Sequence, residues 1–251
     1  MNKIIIFLLM IFLATSLFSQ SAVDLFKKGN EAYKKGDYKT AIESYEKIIS
    51  LGYESGDILF NLGNAYYRTG QFANAILNYE RAKKYDTNDK EIEHNLAIAN
   101  LRIKDRLEKV PRLFIFEWWE NIKNIFSLHI YQYFIFILFT IFVISFALFF
   151  WVKDVILKKR FLFVSIFLGL VFAFFAIAFI SKAVEHDNDK YAILFEQSLK
   201  VKSAPDQNAL DLFEIHYGIK FKIVDELEDW CKILLVDGKT GWIKKNGFEI
   251  I

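Results

Sequence analysis

Two long uncharged runs constrain this chain more than any other feature of its sequence. Residues 131–152 and 161–180 contain no Asp, Glu, Lys or Arg. A bilayer core of about 30 Å is crossed by roughly 20 apolar residues in a helix. Because only residues 153–160 separate the runs, we predict two spans joined in a tight transmembrane hairpin. The alternative is a buried hairpin in a soluble domain, which rarely supplies two uncharged runs of this length.

The N-terminus indicates which side of the membrane the rest of the chain occupies. Residues 1–20 place Lys3 before an apolar run and end in small polar residues, the order of a secretory signal peptide. Cleavage after Ser16 or Ser19 fits equally well, and an uncleaved anchor helix is the alternative. In either case the segment from residue 21 onward should face the outside. The loop 153–160, rich in Lys and Arg, is then cytoplasmic, as the positive-inside bias predicts.

Residues 21–110 repeat with a period of 34 residues. The matched positions are Gly29 and Gly63, Gly36 and Gly70, Ala41 and Ala75, and Tyr45 and Tyr79. A 34-residue period with this pattern of Gly, Ala and Tyr is the signature of the tetratricopeptide repeat, or TPR. We therefore predict two helix pairs, followed by a single helix that caps the solenoid.

Resemblance to TPR proteins implies a concave groove that binds a peptide or a partner protein. In some members, asparagines and basic side chains hold a carboxylate. Asn30 and Asn61 stand at the asparagine positions here, but Phe26, Glu91 and Asn95 occupy the basic ones. The alternative is ordinary solvated surface. The groove candidates are Asn30, Phe60, Asn61, Asn64, Tyr67, Arg68 and His94.

Residues 111–130 form an aromatic linker between the repeats and the first span. Trp118 and Trp119 favour a helix at the headgroup level, where Trp and Tyr concentrate. The spans themselves hold no ionisable residue of the kind that marks proton or ion pathways.

Residues 190–251 change to a period of two and contain five runs typical of strands, with Asp237-Gly238 as a hairpin signal. The run LKVKSAP, Gly218 before a strand, the Trp230 strand and the run DGKTGWI resemble a bacterial SH3-like domain. Such domains bind cell-wall peptides or proteins. Tyr217, Trp230 and Trp242 are candidates for a binding groove, with barrel packing as the alternative.

Little in the sequence points to catalysis. The four histidines fall in separate segments, and the one cysteine, Cys231, has no candidate base near it in sequence. We therefore expect no enzyme, no cofactor and no metal. The net charge of +2 is not concentrated in a basic domain, so nucleic acid is not an expected partner.

The expected architecture is a multidomain membrane protein: an all-α TPR solenoid, a two-helix transmembrane hairpin and a small all-β SH3-like barrel. This order resembles the TPR-containing member of the Bat family of aerotolerance proteins. That resemblance implies a role with membrane-bound von Willebrand A-type proteins and a MoxR-type ATPase in envelope stress tolerance. We expect a non-enzymatic adaptor in the bacterial inner membrane, with TPR and SH3-like domains in the periplasm. The alternative is a module that binds or senses peptidoglycan peptides.

Overall fold

The computed structural model describes residues 21–85, 89–107, 111, 113–188 and 190–251. The predicted signal peptide, residues 1–20, lies outside them. The chain divides into two compact units. The repeat–barrel unit comprises Met1–Val110 and Lys190–Ile251, and the apolar unit comprises Pro111–Asp189.

The repeats form helices where the 34-residue period predicts them. The bounds are α1 (residues 21–34), α2 (Tyr38–Ser50), α3 (Gly56–Arg68), α4 (Phe72–Tyr85) and α5 (Lys90–Asn100). Asp37, Ser55 and Asp89 accept backbone hydrogen bonds as N-caps of α2, α3 and α5. Two helix pairs and one further helix confirm the predicted solenoid.

Close packing explains the repeated glycine at the centre of α3. A Cβ atom on Gly63 would lie 2.7 Å from Cδ1 of Tyr79, so only glycine lets the ring pack against this helix. Tyr79 is buried, as is Ala75 on the same helix. The equivalent pair in the first repeat, Gly29 and Tyr45, packs in the same way.

The C-terminal segment folds into one antiparallel sheet of seven strands, in the order β3-β2-β6-β5-β4-β1-β7. Two of the strands, β3 and β7, are additional to the five that the sequence predicts. The turn with Gly238 at a positive φ of 87° joins β5 to β6, which confirms the hairpin. The bounds are β1 (Lys190–Leu194), β2 (Ser198–Lys202), β3 (Asp211–His216), β4 (Lys220–Leu227), β5 (Trp230–Leu234), β6 (Thr240–Lys244) and β7 (Phe248–Ile250).

The repeats and the barrel share apolar packing. Ile193 of β1 is buried in the core of the repeat helices, whereas its neighbours on the strand, Ala192 and Leu194, belong to the core of the barrel. In the other direction, Leu107, which follows the repeats, packs against the barrel core. Since side chains alternate along a strand, β1 contributes one face to each core.

Polar contacts surround this shared core. Arg81 of α4 pairs with Glu249 at 2.8 Å and donates to the carbonyl of Ile250 at 2.8 Å. Glu80, also on α4, pairs with Lys220 at 2.7 Å. The two segments that flank the apolar unit in sequence therefore fold together.

A second set of contacts joins the end of the repeats to the β3–β4 turn. The carboxylate of Asp105 accepts from the backbone N–H of His216 at 2.6 Å and lies 2.9 Å from its Nδ1. Ile103 is buried beside Gly218, whose φ is +86° and whose missing Cβ would otherwise meet the Ile103 side chain. The segment after α5 thus meets the barrel rather than ending as a free solenoid cap.

The described residues of the apolar unit form three helices: α6 (Phe114–Lys123), α7 (Leu128–Trp151) and α8 (Val155–Asn188). Helices α7 and α8 form the predicted hairpin. The connection is shorter than residues 153–160, because Asp154 accepts from the N–H groups of Ile156 and Leu157 and caps α8. Both helices are long and apolar enough to cross a membrane, and they are compatible with a two-span protein.

Candidate partner-binding surfaces

A chain of amide hydrogen bonds runs across the first repeat. Asn30 Oδ1 accepts from the Tyr45 hydroxyl at 2.7 Å and from Nδ2 of Asn61 at 3.2 Å. Tyr45 is almost fully buried, and this burial raises the pKa of its hydroxyl to about 12. The neutral hydroxyl therefore orients Asn30, which in turn holds Asn61 of the next helix.

The same arrangement recurs 34 residues later in the chain. Asn64 Oδ1 accepts from the Tyr79 hydroxyl at 2.7 Å and from Nδ2 of Asn95 at 2.9 Å. Asn95 was expected only as a substitute for a basic residue. Asn95 follows Asn64 by the same number of residues as Asn61 follows Asn30. This spacing could have revealed its role.

These bonds fix the direction of the amides on α1, α3 and α5. The carbonyl oxygens of Asn30 and Asn64 are each occupied by two donors from the chain itself. The carboxamide N–H groups of Asn30 and Asn64 and the carbonyl oxygens of Asn61 and Asn95 retain hydrogen-bonding capacity for another molecule. The arrangement suits the alternating donors and acceptors of an extended peptide backbone.

Basic and aromatic residues line the ends of the same three helices. The guanidinium of Arg68 lies 4.6 Å from the centre of the Tyr38 ring. Arg102 Nε donates to the Tyr67 hydroxyl at 3.1 Å. Lys34 stands at the equivalent position of the first repeat and is exposed. We call Lys34, Arg68 and Arg102 the basic rim.

The remaining groove candidates differ in their exposure. Phe60 packs on the Tyr79 ring, with centroids 5.9 Å apart, and is only partly exposed. His94 occupies the corresponding position 34 residues later and is exposed. Phe60 therefore belongs partly to the core, whereas His94 is a surface side chain.

A shallow pocket of about 400 Å³ opens on the barrel. We call it the barrel pocket. Trp230 contributes its aromatic wall, and Lys244 Nζ lies 5.9 Å from the centre of that ring. The full lining is Leu199, Lys200, Lys202, Gln207, Trp230, Lys244 and Asn246.

The barrel pocket is basic. Lys200 and Lys202 each pair with Asp211 at 2.8 Å, and their hydrogen bonds lower the pKa of that carboxyl to about 2. Three lysines thus line the pocket, where Asp211 pairs with two of them and Glu214 lies close enough to Lys200 to interact electrostatically. Together with the ring of Trp230, this chemistry fits an anionic ligand that also carries an apolar or sugar face.

The structure does not bring the other two barrel candidates into this pocket. Trp242 lies on β6, half-buried and paired in register with Lys232 of β5, and it does not line the pocket. Tyr217 packs against the core of the repeat helices, with its ring 6.3 Å from that of Phe195. Its position follows from the contact between repeats and barrel, which the sequence did not predict.

Among the described residues, no group of three or more His, Cys, Asp or Glu side chains could hold a metal ion. Burial raises the pKa of the Cys231 thiol to about 11, so the group is a neutral core side chain at physiological pH.

Comparison with known families matches both domains. Residues 26–89 match the tetratricopeptide repeat family, and residues 197–248 match the bacterial SH3 domain family. No curated protein matches the chain. Among solved structures, an NlpC/P60 family protein from Bacillus cereus ATCC 10987 is 18% identical, with a TM-score of 0.21. That similarity covers 27% of this chain and 22% of the other. TPR and bacterial SH3 domains suggest binding of proteins or of the cell wall.

Proposed function

We propose that this chain is a non-enzymatic, membrane-anchored adaptor whose TPR groove binds an extended segment of a partner protein at the cell envelope. The observation that carries the proposal is the pair of amide chains, each built from one Tyr and two Asn at the same spacing. Buried tyrosines orient the amides before any partner arrives, which lowers the entropic cost of binding.

The basic rim defines the class of segment that fits. Helices α1, α3 and α5 are neighbours, and packed helices lie about 8–10 Å apart. An extended chain in the polyproline II conformation has three residues per turn and rises about 3.1 Å per residue, so every third side chain lies on one face, about 9 Å from the next. The proposed ligand is therefore an extended acidic segment with Asp or Glu at roughly every third position, facing Lys34, Arg68 and Arg102.

The fold of the repeat–barrel unit supports the proposed membrane topology. Its two segments flank the apolar unit in sequence yet pack into one body. We infer that both lie on the same side of a membrane, as an even number of intervening spans would place them. Lys158, Lys159 and Arg160 lie in the first two turns of α8, near the tip of the hairpin, and the positive-inside bias favours a cytoplasmic location for them. We place the repeat–barrel unit in the periplasm.

The order of TPR helices, two apolar helices and SH3-like barrel also supports the proposed kinship with the TPR-containing member of the Bat family. Under this proposal, the partners are membrane-bound von Willebrand A-type proteins, and the role is stress resistance of the envelope.

Binding is tested with synthetic peptides and the full-length protein in detergent. A peptide with Asp at every third position should bind, and the same composition with the acidic residues clustered should bind at least about tenfold more weakly. The double variant Arg68→Gln/Arg102→Gln should lose binding, whereas Lys47→Gln, on the exposed surface of α2, should not. Equal binding by both double variant and wild type would refute the role of the basic rim.

In-cell crosslinking then tests the adaptor itself. Membrane proteins recovered with the wild type should be lost with the Arg68→Gln/Arg102→Gln variant and kept with Lys47→Gln. If the membrane proteins are recovered equally without the basic rim, the binding site lies elsewhere on the chain.

The barrel pocket supports a second candidate function, which is binding of peptidoglycan peptides. Its Trp230 ring and three lysines fit a carboxylate-bearing ligand with a sugar or apolar face. Full-length protein in detergent should then pellet with purified sacculi, and Trp230→Ala should abolish this. Pelleting that is unchanged in Trp230→Ala would rule out the pocket as the wall-binding site.

A further inference from the structure

Contacts between α7 and α8 show how deep each residue lies along the hairpin of the apolar unit. Aromatic pairs join α7 to α8 along its length, with the Phe134 and Phe175 centroids 5.0 Å apart and those of Phe139 and Phe172 5.4 Å apart. Deeper still, the hydroxyls of Ser145 and Ser165 lie 2.9 Å apart. The two antiparallel helices therefore keep a constant offset, so the position of a residue in α8 gives its depth within the hairpin.

Helix α6 contacts α8 well below the end of the uncharged run. The ring of Trp119 lies 5.9 Å from that of Phe174, and the ring of Trp118 lies 6.5 Å from it. Phe174 precedes Ile180, the last residue of the run, by six positions, which is about 9 Å along a helix. Half of a hydrocarbon core is about 15 Å. This contact is thus deeper than the headgroup level.

Polar contacts fix the other end of α6 near the polar end of the hairpin. Lys123, 1% exposed, pairs with Glu120 of its own helix at 2.8 Å and with Glu185 of α8. The Tyr131 hydroxyl, near the start of α7, donates to the carbonyl of Ile122 at 2.7 Å. Lys123 thus contacts α8 near its polar end and Trp119 contacts it nearer its middle, so the start of α6 lies toward the apolar part of the hairpin.

The first half of α6 leaves its apolar side chains uncovered within the unit. Phe114 is 81% exposed, and its apolar neighbours are all more than half exposed. Glu117, on the same half of the helix, is also exposed. The uncovered apolar residues are Leu113, Phe114, Ile115, Phe116 and Trp118.

We propose that α6 is a membrane-embedded wedge whose partner is the lipid acyl chains of the leaflet around the start of α7. The apolar side chains of α6 continue the lipid-facing surface of α7 and α8, since Trp118 and Trp119 touch Phe174 within that surface. An amphipathic helix lies with its apolar face about 5–10 Å into the boundary, which agrees with the depth of Phe174. The proposal rests on the two-span arrangement proposed above.

Quenching by brominated phospholipids tests the depth of these rings. In the full-length protein, every tryptophan except Trp119 is replaced by Phe, and the protein is reconstituted into vesicles. The lipid carries bromine either near the headgroup end or near the middle of its acyl chains. Two companion proteins carry a single tryptophan, either the native Trp230 of the barrel or the substitution Phe142→Trp within α7.

We expect bromine within the acyl chains to reduce Trp119 emission about twofold or more, and to leave Trp230 unchanged. Quenching of Trp119 no greater than that of Trp230, with the Phe142→Trp protein strongly quenched, would overturn the wedge and leave the two-span hairpin standing. An unquenched Phe142→Trp protein would overturn both.

Discussion

Ile193→Ala tests whether the repeats and the barrel form one unit. Ile193 is fully buried, and its contacts belong to the core of the repeat helices. In a barrel that stood alone, the same side chain would face solvent. Exposed substitutions away from special features usually change stability by less than about 0.5 kcal/mol.

Replacement of a buried Ile by Ala typically costs about 2–5 kcal/mol, through lost burial and the cavity that remains. Partial relaxation of the contact between repeats and barrel favours the lower part of that range, about 2–4 kcal/mol. Each 1.4 kcal/mol is about tenfold in an equilibrium, so undocking should become about 30-fold to several-hundred-fold more frequent.

Hydrogen exchange at the His216 amide measures this opening. That N–H donates to Asp105 across the contact at 2.6 Å, so its exchange requires the barrel to separate from the segment after α5. Residue-resolved mass spectrometry on the full-length protein should show faster exchange at His216 by the factor above.

Leu194→Ala is the matched control, because Leu194 is the next residue of β1, equally buried but within the barrel core. Leu194→Ala should accelerate hydrogen exchange throughout the barrel strands. Ile193→Ala should accelerate it mainly at the contact between the repeats and the barrel. A His216 rate in Ile193→Ala within about threefold of the wild type would refute a shared core.

Other residues give further expectations. Tyr79→Phe should lower the free energy of unfolding by about 1 kcal/mol in denaturant titrations, since Asn64 keeps its second donor; a loss above about 3 kcal/mol would contradict this. Gly63→Ala should cost about 1–3 kcal/mol, because its Cβ would overlap the Tyr79 ring; unchanged stability would show the ring to be mobile. Cys231, with its thiol pKa raised by burial, should resist iodoacetamide at pH 8 until the protein unfolds, and rapid alkylation of the native protein would contradict the buried site.

The sequence predicted the elements whose signal is local. The 34-residue period located the paired helices. Uncharged runs located α7 and α8, although the capping role of Asp154 shortened the loop between them. These features depend on residues that are close in sequence or repeated at a fixed distance.

Contacts between distant segments could not be predicted in this way. Ile103 lies in the irregular segment after α5 and Ile193 in an ordinary strand pattern, and nothing local in the sequence indicates that they share a core. Tyr217 is an example. Its candidate role assumed that the barrel surface is free, but the residue packs against the core of the repeat helices. The groove could be predicted in part. Asn30 and Asn61 were identified by position, but the hydrogen bond between them depends on the spacing of neighbouring helices.

Cysteine accessibility tests the central claim, that one repeat–barrel unit lies on a single side of a membrane crossed twice. The native Cys231 is buried, so it adds little background to labelling of the native protein. Single substitutions Lys39→Cys in the repeats, Lys159→Cys in the hairpin and Asn208→Cys in the barrel are treated with a membrane-impermeant maleimide. After the outer membrane is permeabilised, the first and third should be labelled and Lys159→Cys should be protected until the inner membrane is lysed. Labelling of only one of Lys39→Cys and Asn208→Cys, or of Lys159→Cys before lysis, would contradict the account.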